Sequence, residues 1–91
     1  MELNIEKICE ELKQSEFKKA KRSAENNGNG ASYQIDGENC VSNVSFWPNG
    51  YCDVEYIESN KEPVVNHFEF NSYKEAIETI KSEIRKAEKR A

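Results

Sequence analysis

Residues 43–57 read Asn-Val-Ser-Phe-Trp-Pro-Asn-Gly-Tyr-Cys-Asp-Val-Glu-Tyr-Ile, two alternating runs divided by Pro-Asn-Gly. Pro48 suits the second position of a type I turn, and Gly50 the left-handed position that follows it. A three-residue loop of this kind closes a β-hairpin with a glycine bulge. The register then follows from the turn alone. Trp47 faces Tyr51, Phe46 faces Cys52, Ser45 faces Asp53, Val44 faces Val54 and Asn43 faces Glu55. Side chains alternate across a strand, so a slip of one residue would invert every assignment. Val44, Phe46, Cys52 and Val54 are placed in the core, and Trp47, Tyr51, Ser45, Asp53, Asn43 and Glu55 on the other face.

Two more segments alternate with period two, the pattern of a sheet wet on one side. Tyr33 and Ile35 share a face in Ala-Ser-Tyr-Gln-Ile-Asp, and Phe68 and Phe70 oppose His67 and Glu69 in Val-Val-Asn-His-Phe-Glu-Phe. Helical spacing flanks the strands. Leu3, Ile5, Ile8, Cys9 and Leu12 form one stripe, and Phe17, Ala20 and Ala24 a rotated continuation that implies a bend near residues 14–16. Lys18, Lys19, Lys21 and Arg22 then fall near the helix end, where cations complement the dipole. Glu-Asn-Asn-Gly-Asn-Gly, residues 25–30, reads as a flexible loop. Ser72 and Glu75 form a capping box ahead of the stripe Tyr73, Ala76, Ile77, Ile80, Ile84 and Ala87.

The order is helix, four strands, helix. Short connections favour a meander, and two amphipathic helices have one apolar sheet face to cover. The predicted fold is therefore α+β, a four-stranded antiparallel meander with both helices on one face and residues 1–91 in a single domain. Its expected core includes Ile8, Leu12, Val44, Phe46, Val54, Phe68, Ile77, Ile80 and Ile84. At 91 residues the core is small. One Trp, four Tyr and four Phe supply much of the buried area.

Charge is unevenly spread. No Lys or Arg occurs in residues 23–60. Across residues 31–71 the acids Asp36, Glu38, Asp53, Glu55, Glu58, Glu62 and Glu69 meet one base, Lys61. The open sheet face should thus carry Trp47, Tyr51, Asp53, Glu55, His67 and Glu69, aromatic anchors in a negative field, with the positive charges on the helices. The net charge of −4 argues against nucleic acid as the partner. It suits a basic protein partner.

Catalysis is the weaker reading of these residues. Asp53 and Glu55, two apart on a strand, hold carboxylates about 6–7 Å apart. A flat face offers them no pocket. Ser45, Asp53 and His67 share a row with the acid in the middle, whereas a triad needs the imidazole between serine and acid. His67, the one histidine, is most simply a surface partner of an acid. Cys9, Cys40 and Cys52 lack metal-ligand spacing and read as small buried apolar groups. No metal or cofactor is expected. The amino terminus lacks a signal-peptide pattern and no run is long enough to span a membrane, which implies a cytoplasmic protein with reduced thiols.

The stretches Val-Ser-Phe-Trp-Pro-Asn-Gly-Tyr-Cys-Asp-Val-Glu-Tyr-Ile-Glu and His-Phe-Glu-Phe-Asn-Ser-Tyr-Lys-Glu-Ala-Ile-Glu-Thr-Ile resemble the TriTu-type immunity proteins of bacterial polymorphic toxin systems. Trp47, Gly50, Cys52, Asp53, Glu55, His67, Glu69 and Phe70 carry the likeness, which covers residues 44–84. The resemblance implies a cytoplasmic, non-catalytic protein that binds and neutralises a cognate toxin domain. The charge pattern adds that this toxin is basic, as toxins acting on nucleic acid are. A monomer or weak homodimer is expected. The alternatives are a small hydrolase-like enzyme using Asp53, Glu55 and His67, and a constitutive adaptor or subunit docking through the same face.

Overall fold

The computed structural model describes residues 2–13, 17–23 and 28–91. Two helices, α1 (Ile5–Lys13) and α2 (Tyr73–Arg90), flank five strands: β1 (Ala20–Arg22), β2 (Ala31–Ile35), β3 (Cys40–Phe46), β4 (Tyr51–Glu58) and β5 (Val64–Glu69). The strands form one antiparallel sheet in sequence order.

The central hairpin has the register its turn dictates. Phe46 pairs with Cys52, Ser45 with Asp53, Val44 with Val54 and Asn43 with Glu55. Trp47 N–H donates to Tyr51 C=O (3.0 Å) and Gly50 N–H to Trp47 C=O (3.1 Å). Gly50 has φ +91°, the left-handed conformation that a bulge glycine supplies without steric cost. The tip is tied to the segments that lead into both helices. Leu3 N–H donates to Pro48 C=O (2.7 Å), and Phe70 N–H donates to Gly50 C=O (2.8 Å).

Both helices bury their stripes on one face of the sheet. Ile8, Cys9 and Leu12 of α1 and Ala76, Ile80, Ile84 and Ala87 of α2 join Tyr33, Ile35, Val44, Phe46, Cys52, Val54 and Tyr56 in one core. Ser72 caps α2, its hydroxyl accepting from Glu75 N–H at 3.2 Å. Cys9, Cys40 and Cys52 are free and buried. Two expected core residues, Phe68 and Ile77, are only partly buried. Phe68 lies on β5, where Val64 and Asn66, on the same side of the strand, are exposed, so the helix layer stops short of this edge.

The sheet has five strands where four were expected. The stripe assigned to a longer first helix is interrupted, since α1 ends at Lys13 and Ala20–Arg22 is extended. Residues 14–16, the expected bend, together with Ala24 and residues 25–27 of the expected loop, lie outside the described residues. Tertiary contacts override the weak Phe17–Ala20 helical spacing. Ala20 pairs with Ile35, Lys21 with Gln34 and Arg22 with Tyr33. The Glu88 carboxylate of α2 accepts from the backbone N–H groups of both Lys19 and Ala20. Lys18, Lys19, Lys21 and Arg22 therefore lie beyond the end of α1 rather than in its last turn. Arg22 instead pairs with Glu6 of α1 at 2.8 Å. That hydrogen bond holds the Glu6 carboxyl below its ordinary range and raises the Arg22 guanidinium above its own. Positive charge is thus not confined to the helices, because β1 places Lys21 on the open face.

Candidate protein-binding face

The pairing of the strands writes the open face as a grid. One row runs from Trp47 through Tyr51 to Glu69, and the next through Ser32, Ser45, Asp53 and His67. A third contains Lys21, Gln34, Asn43, Glu55 and Val65. Trp47, Tyr51, Asp53, Glu55, His67 and Glu69 therefore occupy adjoining positions on one side of the sheet, as the alternation requires. Lys21 stands three strand spacings from Glu55, about 14 Å away, beyond the range at which it would neutralise that carboxylate in salt.

His67 Nδ1 and Asp53 Oδ1 are 2.6 Å apart, and both side chains remain in contact with solvent. Tyr51 meets the His67 ring edge-on, with centroids 5.2 Å apart. Its own N–H is held by Asn49 Oδ1 at 3.1 Å, which fixes the start of β4. Ser45 turns away from the pair and shares a 2.8 Å hydrogen bond with Ser32. Asp53 thus stands between serine and histidine in the register. The imidazole is engaged by the acid, and the serine by another serine.

The face is not flat, as expected from a bare sheet, but holds a shallow depression lined by Asn43, Ser45, Trp47, Asp53, Glu55 and Val65. Its lining combines the short Asn43 and Ser45 side chains of β3, the carboxylates of their β4 partners Glu55 and Asp53, and the Trp47 indole. Trp47 is half-buried because its indole lies over Gly30, just before β2. Asn43 was placed on this face by the hairpin register, whereas Gly30 was read only as part of a loop and Val65 was not assigned to the face. A signal for Gly30 exists. Pairing Ala31 with Phe46 brings the preceding glycine beside Trp47.

Among the described residues, no three His, Cys, Asp or Glu side chains cluster so as to hold a metal ion. Cys52 is sealed beneath the sheet, and burial, then the Asp53 and Glu83 carboxylates, push its thiol up to about 12. It stays protonated at neutral pH and is a poor nucleophile there.

Residues 4–85 match the family described as Immunity protein TriTu. The chain belongs to the TriTu immunity protein family. The match takes in α1, β1 and β2 as well as the hairpin and α2, and so reaches well beyond the stretch of residues 44–84 that carried the resemblance. No curated protein and no solved structure matches the chain. No helix among the described residues is long and apolar enough to cross a membrane.

Proposed function

We propose that this chain is the immunity partner of a bacterial toxin domain and neutralises it by stoichiometric binding, without catalysis, in the cytoplasm. The toxin domain is basic, of the kind that acts on nucleic acid, and it docks on the open sheet face. The observation that carries the reading is the adjacency of Trp47, Tyr51, Asp53, Glu55, His67 and Glu69 on one face of a TriTu family member. Trp47 and Tyr51 are the anchors, since aromatic side chains dominate interface energies. Asp53, Glu55 and Glu69 steer the approach of a basic partner and set its register. The shallow depression beside Trp47 gives a Lys or Arg of the toxin a place between the indole and two carboxylates.

An enzyme built on Asp53, Glu55 and His67 draws less support. The acid lies between the serine and the histidine, and Ser45 is bonded to Ser32 rather than to a base. Kinetics of binding to the toxin domain, measured across a salt series, test the proposal. The association rate falls as salt rises while the dissociation rate changes little. Replacing Asp53 by Asn and Glu55 by Gln together slows association and leaves the melting temperature within a few degrees. An association rate indifferent to both salt and these substitutions would remove the acidic face from recognition.

A further inference from the structure

β5 closes one edge of the sheet with backbone that nothing in the described structure covers. The direction of its polar groups follows from two hydrogen bonds. Trp47 N–H donates to Tyr51 C=O, so Tyr51, Asp53 and Glu55 turn their backbone groups toward β3. Cys52, Val54 and Tyr56 then face β5, where their register partners are Phe68, Asn66 and Val64. Phe70 N–H, bonded to Gly50 C=O, has the same parity. Val65, His67 and Glu69 are left directing N–H and C=O groups outward along the open edge.

Natural sheets blunt such edges with short strands, lysines, prolines or bulges. β1, at the opposite edge, obeys the rule, with three residues of which two are cations. β5 does not. It runs six residues without Lys or Pro, in unbroken register from Tyr51–Glu69 to Tyr56–Val64. Among the described residues it also carries the two most exposed large aliphatic side chains, Val64 at 52% and Val65 at 56%, one on each face.

We propose that β5 takes an extended segment of the toxin domain as a sixth strand. This rests on the reading of the chain as a toxin-binding protein. Charge beside the edge selects the occupant. Glu69 lies on the strand itself, and Asp53 and Glu55 lie one strand in on the same face. A second copy of a chain carrying −4 would bring like acids together. A segment that turns Lys or Arg to the open face meets these acids instead. On the helix side, Val64 and the partly buried Phe68 take an apolar residue. The occupant therefore alternates basic and apolar side chains, and its backbone bonds to Val65, His67 and Glu69.

The experiment uses the full chain and an inactivated form of the toxin domain from which it protects cells. Residue-resolved amide exchange should show protection of Val65, His67 and Glu69 rising at least about tenfold in the complex. Asn66 and Phe68, already bonded to β4, should be slow in both states. Val65→Pro removes one outward donor at an edge position that tolerates proline, and Val65→Thr keeps it. We expect the first to weaken toxin binding about tenfold or more and the second to leave it within about threefold. Since Val65→Pro can itself perturb the strand, the exchange pattern of the unaltered chain decides if that variant loses its fold. A complex lacking the alternating protection overturns the proposal. So does normal binding by a folded Val65→Pro chain while a Trp47→Ala, Asp53→Asn chain fails, a result that keeps the open face and dismisses the edge. Conversion of a homodimer to monomer by Val65→Pro, with toxin binding unchanged, would assign the edge to a second copy. If the unaltered chain binds no toxin domain, both this inference and the functional reading fall.

Discussion

The indole of Trp47 lies so close over Gly30 that a Cβ at position 30 would fall 2.6 Å from Trp47 Cδ1 and closer still to the Phe46 carbonyl oxygen. Glycine here is a matter of space rather than of backbone conformation. The contact holds the aromatic part of the depression's lining from Gly30, just before β2. Trp47 is thereby held in place within the fold, and on the proposed reading this spares the cost of ordering a large side chain on binding.

Gly30→Ala should displace the indole. Overpacking of this kind costs about 1–3 kcal/mol. Because the chain has one tryptophan, its emission reports the site directly. We expect a shift in the emission maximum together with a lower denaturation midpoint. An unchanged spectrum and midpoint would mean that Gly30 does not support Trp47.

The parts of this fold that were legible in the sequence are those that local chemistry dictates. Pro48 and Gly50 set the hairpin register, and the register sorted Val44, Phe46, Cys52 and Val54 from Trp47, Tyr51, Asp53 and Glu55. Ser72 and the isoleucine stripe defined α2 in the same way. β1 was not legible, because its structure is imposed from far along the chain by Ile35, Tyr33 and Glu88. Two alanines and a phenylalanine at helical spacing could not outweigh those contacts. Phe68 was placed too deep because alternation tells which face a side chain takes, not whether a helix reaches over it. The depression on the open face was missed for a related reason. It combines short Asn43 and Ser45 side chains with an indole held by Gly30, just before β2.

The Glu88 carboxylate is the link between α2 and the start of β1. Glu88→Ala leaves two backbone donors without this acceptor. Hydrogen bonds to a charged group contribute about 1.5–3 kcal/mol, and solvent at this half-buried site reduces that. Amide exchange at Ala20, Lys21 and Arg22 should accelerate while the hairpin amides of β3 and β4 keep their protection. Uniform acceleration across the sheet would instead make β1 part of the global unfolding unit.

Stability should fall at alkaline pH in a defined window. The Cys52 thiol ordinarily titrates near 9.0 and is pushed up to about 12 in the fold, chiefly by burial. Below about pH 8 both folded and unfolded chains hold the proton, and the thiol contributes no pH dependence. Above 9 the unfolded chain releases it while the folded chain keeps it. Unfolding is then favoured by about 1.4 kcal/mol per pH unit until the folded thiol titrates. Tyr33 and Tyr56, also raised by burial, add the same trend above their ordinary value of 10.0. Urea denaturation at intervals from pH 7 to 11 should show a plateau followed by a decline. In a Cys52→Ala chain the plateau is lower, because a cavity is left, and the decline is shallower.

The most direct test of the account is protection of cells that express the cognate toxin, by a chain carrying Trp47→Ala and Asp53→Asn together. Both side chains reach the open face, and neither belongs to the core. The account predicts that the altered chain accumulates to the normal level and fails to protect. Full protection at equal protein levels would contradict it, and the acidic, aromatic face would then play no part in neutralisation.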